Sequence, residues 1–328
     1  MTESGSLFCT KVLTTLSLDA LLFLDLKNIR YCCGFTGTDG AYIFTPQIDY
    51  FLSDSRYLEQ SRHEVSASRQ ICYQNKFDEI VATLNDSGLK RVGFEADTLS
   101  VAQLQELTKR TKDQFEWVAV TEHVRPLRGI KSSTELDYLQ QAADLNAAAY
   151  SEIEHLIKPG VSEKRIAFEL ECALRRLGGE DRAFDFIVAS GPRGAMPHGV
   201  ASERLLESGD LVTIDFGTRV AGYHSDETLT LGVGAVDNDL RQVFDVVLKA
   251  HDLAMAAAAP GVVIADLDAV ARDHIEAAGY GDFFGHGLGH GVGLNIHEYP
   301  TVSGRCFDQF QEGMVITIEP GIYLPDRG

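Results

Sequence analysis

Short apolar runs alternate with amphipathic stretches through the first third of the chain, a pattern that predicts an α/β or α+β unit. The runs at 20–24, 41–44, 50–52 and 91–94 are rich in Leu, Phe, Ile and Val and too short for helices, so they read as strands. Helical spacing marks 55–62, 76–85 and 100–109. Arg125-Pro126-Leu127-Arg128-Gly129 then breaks the periodicity with Pro and Gly, and its charges suit a surface crossing, dividing the chain into domains at 1–126 and 127–328. Beyond it, an Ala-rich helix runs from a cap at Ser133 or Thr134 to about residue 157 and stops before Pro159-Gly160. A second helix, capped by Ser162, ends at Gly178-Gly179; two more, near 239–259 and 264–278, end at Pro260-Gly261 and Gly279. Each helix pair precedes strand-rich sequence, which hints at an internal duplication. The expected fold class is α+β.

The stretch 211–231 has the signature of a hairpin. Leu211-Val212-Thr213-Ile214 leads to Asp215, a polar segment containing Gly222 follows, and Asp226 opens a second run rich in Thr and Leu. A four-residue connection at 219–222 would set Asp215 opposite Asp226, with Cβ atoms roughly 4.5 to 5.5 Å apart and their charges in conflict. The apolar neighbours make an unneutralised carboxylate costly by several kcal/mol. A divalent cation resolves the conflict, since hard cations take carboxylate oxygens. The same sequence also suits two surface aspartates flanking a turn, and a one-residue slip of register would separate them.

Composition narrows the possible partners. The chain has 328 residues, above the usual limit of about 250 to 300 for a single core, so two domains are expected. Lys and Arg number 29 against 48 Asp and Glu, and the net charge of -19 repels phosphate backbones and anionic membranes. Neither nucleic acid nor membrane is an expected partner. No apolar run is long enough to span a bilayer, and the one after Val12 is interrupted by Asp19 and Asp25, which makes a poor signal peptide. Cysteines at 9, 32, 33, 72, 172 and 306 form no CxxC pair and read as reduced thiols of a cytoplasmic protein.

Three further segments carry candidate chemistry. His198 lies in Met196-Pro197-His198-Gly199, a loop ahead of the first aspartate strand. His286, His290 and His297 sit among Gly285, Gly287, Gly289, Gly291 and Gly293, while Leu288, Val292, Leu294 and Ile296 argue for burial. Alternation from Val292 to Ile296 implies a strand, so His290 and His297 should face opposite ways unless the glycines bend it, and only one is then a ligand. The strand 314–318 ends in Glu319, before a Pro that stops the ladder. Alone it is a strand-end acid; with Asp215, Asp226 and His290 it completes a hard donor set.

In this order Pro197-His198-Gly199, Asp215-Phe216-Gly217, Ser225-Asp226, Gly289-His290-Gly291-Val292-Gly293, Ile296-His297-Glu298 and Thr317-Ile318-Glu319-Pro320-Gly321 resemble the dinuclear-metal peptidases of the pita-bread fold. That superfamily includes methionine aminopeptidase, Xaa-Pro aminopeptidase, prolidase and creatinase. Gly34-Phe35-Thr36-Gly37 and Ser53-Asp54-Ser55-Arg56-Tyr57 look like the N-terminal domain of the Xaa-Pro branch. The resemblance implies a creatinase-like α/β domain followed by a pita-bread catalytic domain with pseudo-twofold helix pairs around an antiparallel sheet. It implies two divalent ions, Mn2+ first and Co2+ or Zn2+ as alternatives, held by Asp215, Asp226, His290 and Glu319. Glu319 would also exchange the proton of the attacking water, with His198 and His297 against the scissile carbonyl and the proline side. A homodimer is what the resemblance suggests.

Three departures shape the expected activity. The family's fifth ligand, a glutamate in a Gly-x-Arg-x-Glu pattern, has no counterpart before the chain stops at Asp326-Arg327-Gly328, which reads as a truncation. Tyr299-Pro300-Thr301 stands where many relatives read Glu-Pro-Arg, and Leu229 stands where many carry Arg. Fewer basic residues near the site weaken the grip on a dipeptide's free carboxylate. The expectation is therefore an Xaa-Pro aminopeptidase acting on proline-containing peptides. Alternatives are prolidase, a peptide-binding module without hydrolysis, and amidine hydrolysis of the creatinase type, for which no residue speaks.

Overall fold

A computed structural model describes residues 3–112 and 114–328, which fall into two compact units, Met1–Arg128 and Gly129–Gly328. The first unit is built on one six-stranded sheet with both parallel and antiparallel pairings, and the second on helix pairs and small antiparallel sheets.

In the first unit the elements run α1 (Glu3–Leu16), β1 (Ala20–Phe23), α2 (Leu26–Cys33), β2 (Ala41–Phe44), β3 (Asp49–Ser53), α3 (Leu58–Glu64), β4 (Arg69–Cys72), α4 (Lys76–Asp86), β5 (Arg91–Phe94), α5 (Val101–Thr111), β6 (Glu116–Ala119) and α6 (Thr121–Val124). One sheet takes them in the order β4-β3-β2-β1-β5-β6. Its central strands are buried on both faces: Leu21 and Phe23 enter one apolar cluster, Ala20 and Leu22 the other. That double burial is why they read as continuous apolar runs. The edge strands β4 and β6 carry exposed residues and lack that signature.

The second unit opens with α7 (Ser133–Ile153) and α8 (Glu163–Leu177). The cap of α7 is Ser132, one residue earlier than expected, because Glu135 closes a reciprocal capping box with it. Strands β7 (Ile187–Ser190), β8 (Leu211–Phe216) and β11 (Glu227–Gly232) form an antiparallel sheet in the order β11-β8-β7. Between β8 and β11, β9 (Arg219–Val220) and β10 (Tyr223–His224) pair as a small ribbon. Helices α9 (Asn238–Ala257) and α10 (Ile264–Ala277) lead to β12 (Gly289–Gly291) and β13 (Glu298–Val302). Strand β8 alternates strictly: Val212, Ile214 and Phe216 pack against Ala149 and Ile153 of α7 and Ile166 and Leu170 of α8. Thr213 and Asp215 are left on the opposite face.

The hairpin closes more tightly than its sequence suggested. Val220 pairs with Tyr223, so the turn is Ala221-Gly222 alone, both with positive φ (46° and 71°) as a type I′ turn requires. The register moves accordingly: Asp215 faces Thr228, and pairing of Phe216 with Glu227 puts Asp226 level with Gly217. The aspartates share a face but lie diagonally rather than opposite, a spacing that leaves room between them. Ala221 bears the left-handed strain that Gly or Asn avoids. Ala221→Asn is expected to raise stability by about 1 kcal/mol, read as a melting temperature higher by about 2–4 °C.

Candidate metal centre

Desolvation dominates at Asp215, with the charge of Asp226 next, and together they push its pKa up to about 7 despite a hydrogen bond from Thr228. Its Oδ1 is buried with no hydrogen-bond partner. A carboxylate oxygen so placed is costly until something positive meets it.

His290 reaches this face from β12. Its Nε2 lies 3.4 Å from Asp226 Oδ2 and 3.1 Å from Glu319 Oε1. Burial acts to lower its pKa, but hydrogen bonds to Asp226 and then Glu319 outweigh it and lift the ring to about 10. At Glu319, burial acts to raise the pKa, and bonds from His290 and Thr317 outweigh it and hold the carboxyl below its usual range. Thr317 Oγ1 donates to Glu319 Oε1 at 2.8 Å.

The segment carrying Glu319 is extended but is not the regular strand expected for 314–318. It runs beside β12 through Thr317 N to His290 O and Glu319 N to Leu288 O, both 2.8 Å, and through a bridge of Ile316 with Gly291. Gly289 is required by this approach, since a Cβ there would lie 2.1 Å from Thr317 O.

The expected strand from His290 to His297 is also absent. After Gly291 the chain bends through 292–297, so the two rings meet edge to face at 4.3 Å between centroids. Burial and then the positive charge of His290 lower the pKa of His297, and His198 lies close enough to add to that effect. His198 itself is exposed, on the loop after β7. The structure therefore gathers Asp215, Asp226, His290, Glu319 and His297 in one neighbourhood, with His198 at its margin. Sequence reasoning passed over Thr317, although its separation of two from Glu319 in an extended segment puts both on one side.

Among the described residues no three acidic, imidazole or thiol side chains form a ready-made metal cage. The donor chemistry nevertheless fits hard divalent cations: carboxylates and one imidazole, with an unpartnered oxygen on Asp215, whose carboxylate feels the charges of Asp226, Glu319 and His290. No helix among the described residues is long and apolar enough to cross a membrane.

Residues 137–328 match Metallopeptidase family M24, and residues 9–130 match the Creatinase/Prolidase N-terminal domain. An Xaa-Pro dipeptidase of Pyrococcus horikoshii is 36% identical, covering 95% of this chain and 88% of that relative. The solved Xaa-Pro dipeptidase from Bacillus anthracis superposes with a TM-score of 0.95 at 36% identity, over 99% of this chain and 91% of its own. The X-Pro aminopeptidase from Thermotoga maritima gives 0.86 at 34% identity, over 97% and 92%.

Proposed function

Because this chain belongs to Metallopeptidase family M24, we propose that it is a metal-dependent Xaa-Pro dipeptidase, hydrolysing the bond that joins an N-terminal residue to proline. Relatives in sequence and in structure that bear the dipeptidase name favour it over the aminopeptidase expected from Leu229 and Thr301. The carrying observation is the convergence of the unpartnered Asp215 oxygen with Asp226, His290 and Glu319. Asp215, Asp226, His290 and Glu319 would hold two divalent cations, Mn2+ being the proposed metal. Such cations act as Lewis acids toward the scissile carbonyl and make water nucleophilic near neutral pH.

The remaining work falls to the side chains. Glu319, kept ionised by His290 and Thr317, accepts the proton of the attacking water and returns it to the departing proline nitrogen. His297, held largely neutral beside His290, can donate or accept a hydrogen bond at the substrate without adding charge. His198, on its exposed loop near His297, would meet the other side of the peptide. An Xaa-Pro bond offers no N–H and a fixed φ, so a site that works through the carbonyl suits it.

The test is a comparison of Xaa-Pro, Xaa-Pro-Yaa and Xaa-Ala-Yaa peptides with Mn2+ present. Fastest cleavage of Xaa-Pro, abolished by a chelator and restored by Mn2+, is expected. Faster cleavage of Xaa-Pro-Yaa would return the protein to the aminopeptidases, and no turnover of any peptide would make it a binding module.

A further inference from the structure

A buried ion pair sits directly behind the bent segment 292–297. Lys131 Nζ lies 3.0 Å from Glu298 Oε1, and the two side chains are 1% and 5% exposed. Two charges withdrawn this far from water gain little net stability, and an apolar pair of similar volume often serves a fold as well. The bend is built around this pair. Glu298 is the residue after His297 and pairs across to Gly291, next to His290. Its carboxylate fills the space of the side chain that Gly293 lacks: a Cβ there would lie 2.3 Å from Glu298 Oε1. Gly293 in turn is held by its carbonyl, which accepts from His224 N at 2.8 Å and meets His224 Nδ1 at 2.9 Å. Lys131 is itself fixed by its backbone N–H, which donates to Gly313 O at 2.9 Å, at the start of the segment that carries Glu319. Lys131 thus ties the backbone leading to Glu319, through its own N–H, to the carboxylate beside His297, through its ammonium.

We infer that Lys131 and Glu298 are positioning residues, whose ion pair sets the ring of His297 against His290 and so fixes the substrate-facing edge of the site. The inference rests on the reading of the site as a peptidase for its kinetic arm alone.

The test uses the full-length chain with Lys131→Met, Glu298→Met and the double variant. The single variants each leave one buried charge without its counterion and are expected to melt early. The double variant removes both charges and is expected to melt near the wild type. In the double variant kcat/KM for an Xaa-Pro dipeptide is expected to fall by at least about 30-fold, while the Mn2+ dissociation constant from calorimetry stays within about threefold. A purely structural pair would instead give a double variant with wild-type kcat and KM. Wild-type kinetics, or a loss accounted for by weaker Mn2+ binding, would overturn the inference. A second readout does not depend on the reaction. In histidine-labelled protein, the ring resonance of His297, identified by its loss in His297→Ala, is expected to shift in the double variant. If it stays in place the inference fails, whichever substrate the enzyme takes; failure of the dipeptidase reading would show in the wild type's own rates.

Discussion

Glu319→Gln is expected to lower kcat for an Xaa-Pro dipeptide by about 10³-fold or more, at the upper range of what a positioned acid–base group contributes. The amide keeps the size of the side chain and can still meet His290 and Thr317 but cannot carry a proton between water and the leaving nitrogen. Two groups that hold the native carboxylate ionised, His290 at 3.1 Å and Thr317 at 2.8 Å, both address the oxygen Oε1. The second oxygen is therefore the one free of these contacts. Rates measured across an Mn2+ titration separate loss of metal from loss of chemistry. A variant within tenfold of the wild type at saturating Mn2+ would remove Glu319 from the proton path.

The second large effect concerns stability. Glu163, wholly buried at the start of α8, accepts from Ser190 N and Oγ, Ser202 N and Oγ, and Arg193 Nε. These bonds pin both ends of the loop that carries His198, and Arg193 adds a bond from Nη2 to Val200 O. Glu163→Ala strands these donors together, with an expected cost of about 3 kcal/mol, the low end for a broken buried pair because Arg193 keeps some access to water. For a unit of this size that is a melting temperature lower by about 6–12 °C. The effect has a signed pH dependence. Burial acts to raise the pKa of Glu163, but the bonds from Ser202 and Ser190 outweigh it and the folded value lies below the unfolded one. A depressed folded pKa contributes stability above the unfolded value, about 4.3, and loses it as pH falls through the folded value. The gap between wild type and variant should therefore be widest near neutral pH and shrink below about pH 4. Melting curves from pH 3 to 7 check this, and a gap that widens with acid would show the sign to be wrong.

What the sequence conveyed depended on how local the determining physics was. The central strands of the first unit were visible because burial on both faces leaves uninterrupted apolar runs, whereas β4 and β6 at the edges lack them. Helix ends at Gly178 and Ser162 were visible through backbone conformation and capping, and the Ser132-x-x-Glu135 spacing of the α7 cap was there to be read. Helices α1 and α2 were assigned no element, the run after Val12 having been weighed only as a signal peptide. The four proposed donors do lie in one neighbourhood, but their geometry was not legible. The hairpin register depends on Ala221 accepting a positive φ, which no residue-type rule anticipates for alanine. The meeting of His290 and His297 depends on Gly293 packed against a carboxylate whose counterion comes from Lys131, far away in sequence. Such tertiary closure leaves no periodic trace.

The donors come from two stretches separated by α9 and α10: the hairpin supplies Asp215 and Asp226, the ladder beside β12 supplies His290 and Glu319. Neither stretch alone has the full set of proposed donors. On the proposed reading turnover needs both stretches in place, so a refolding experiment could use turnover itself as the clock for their long-range closure.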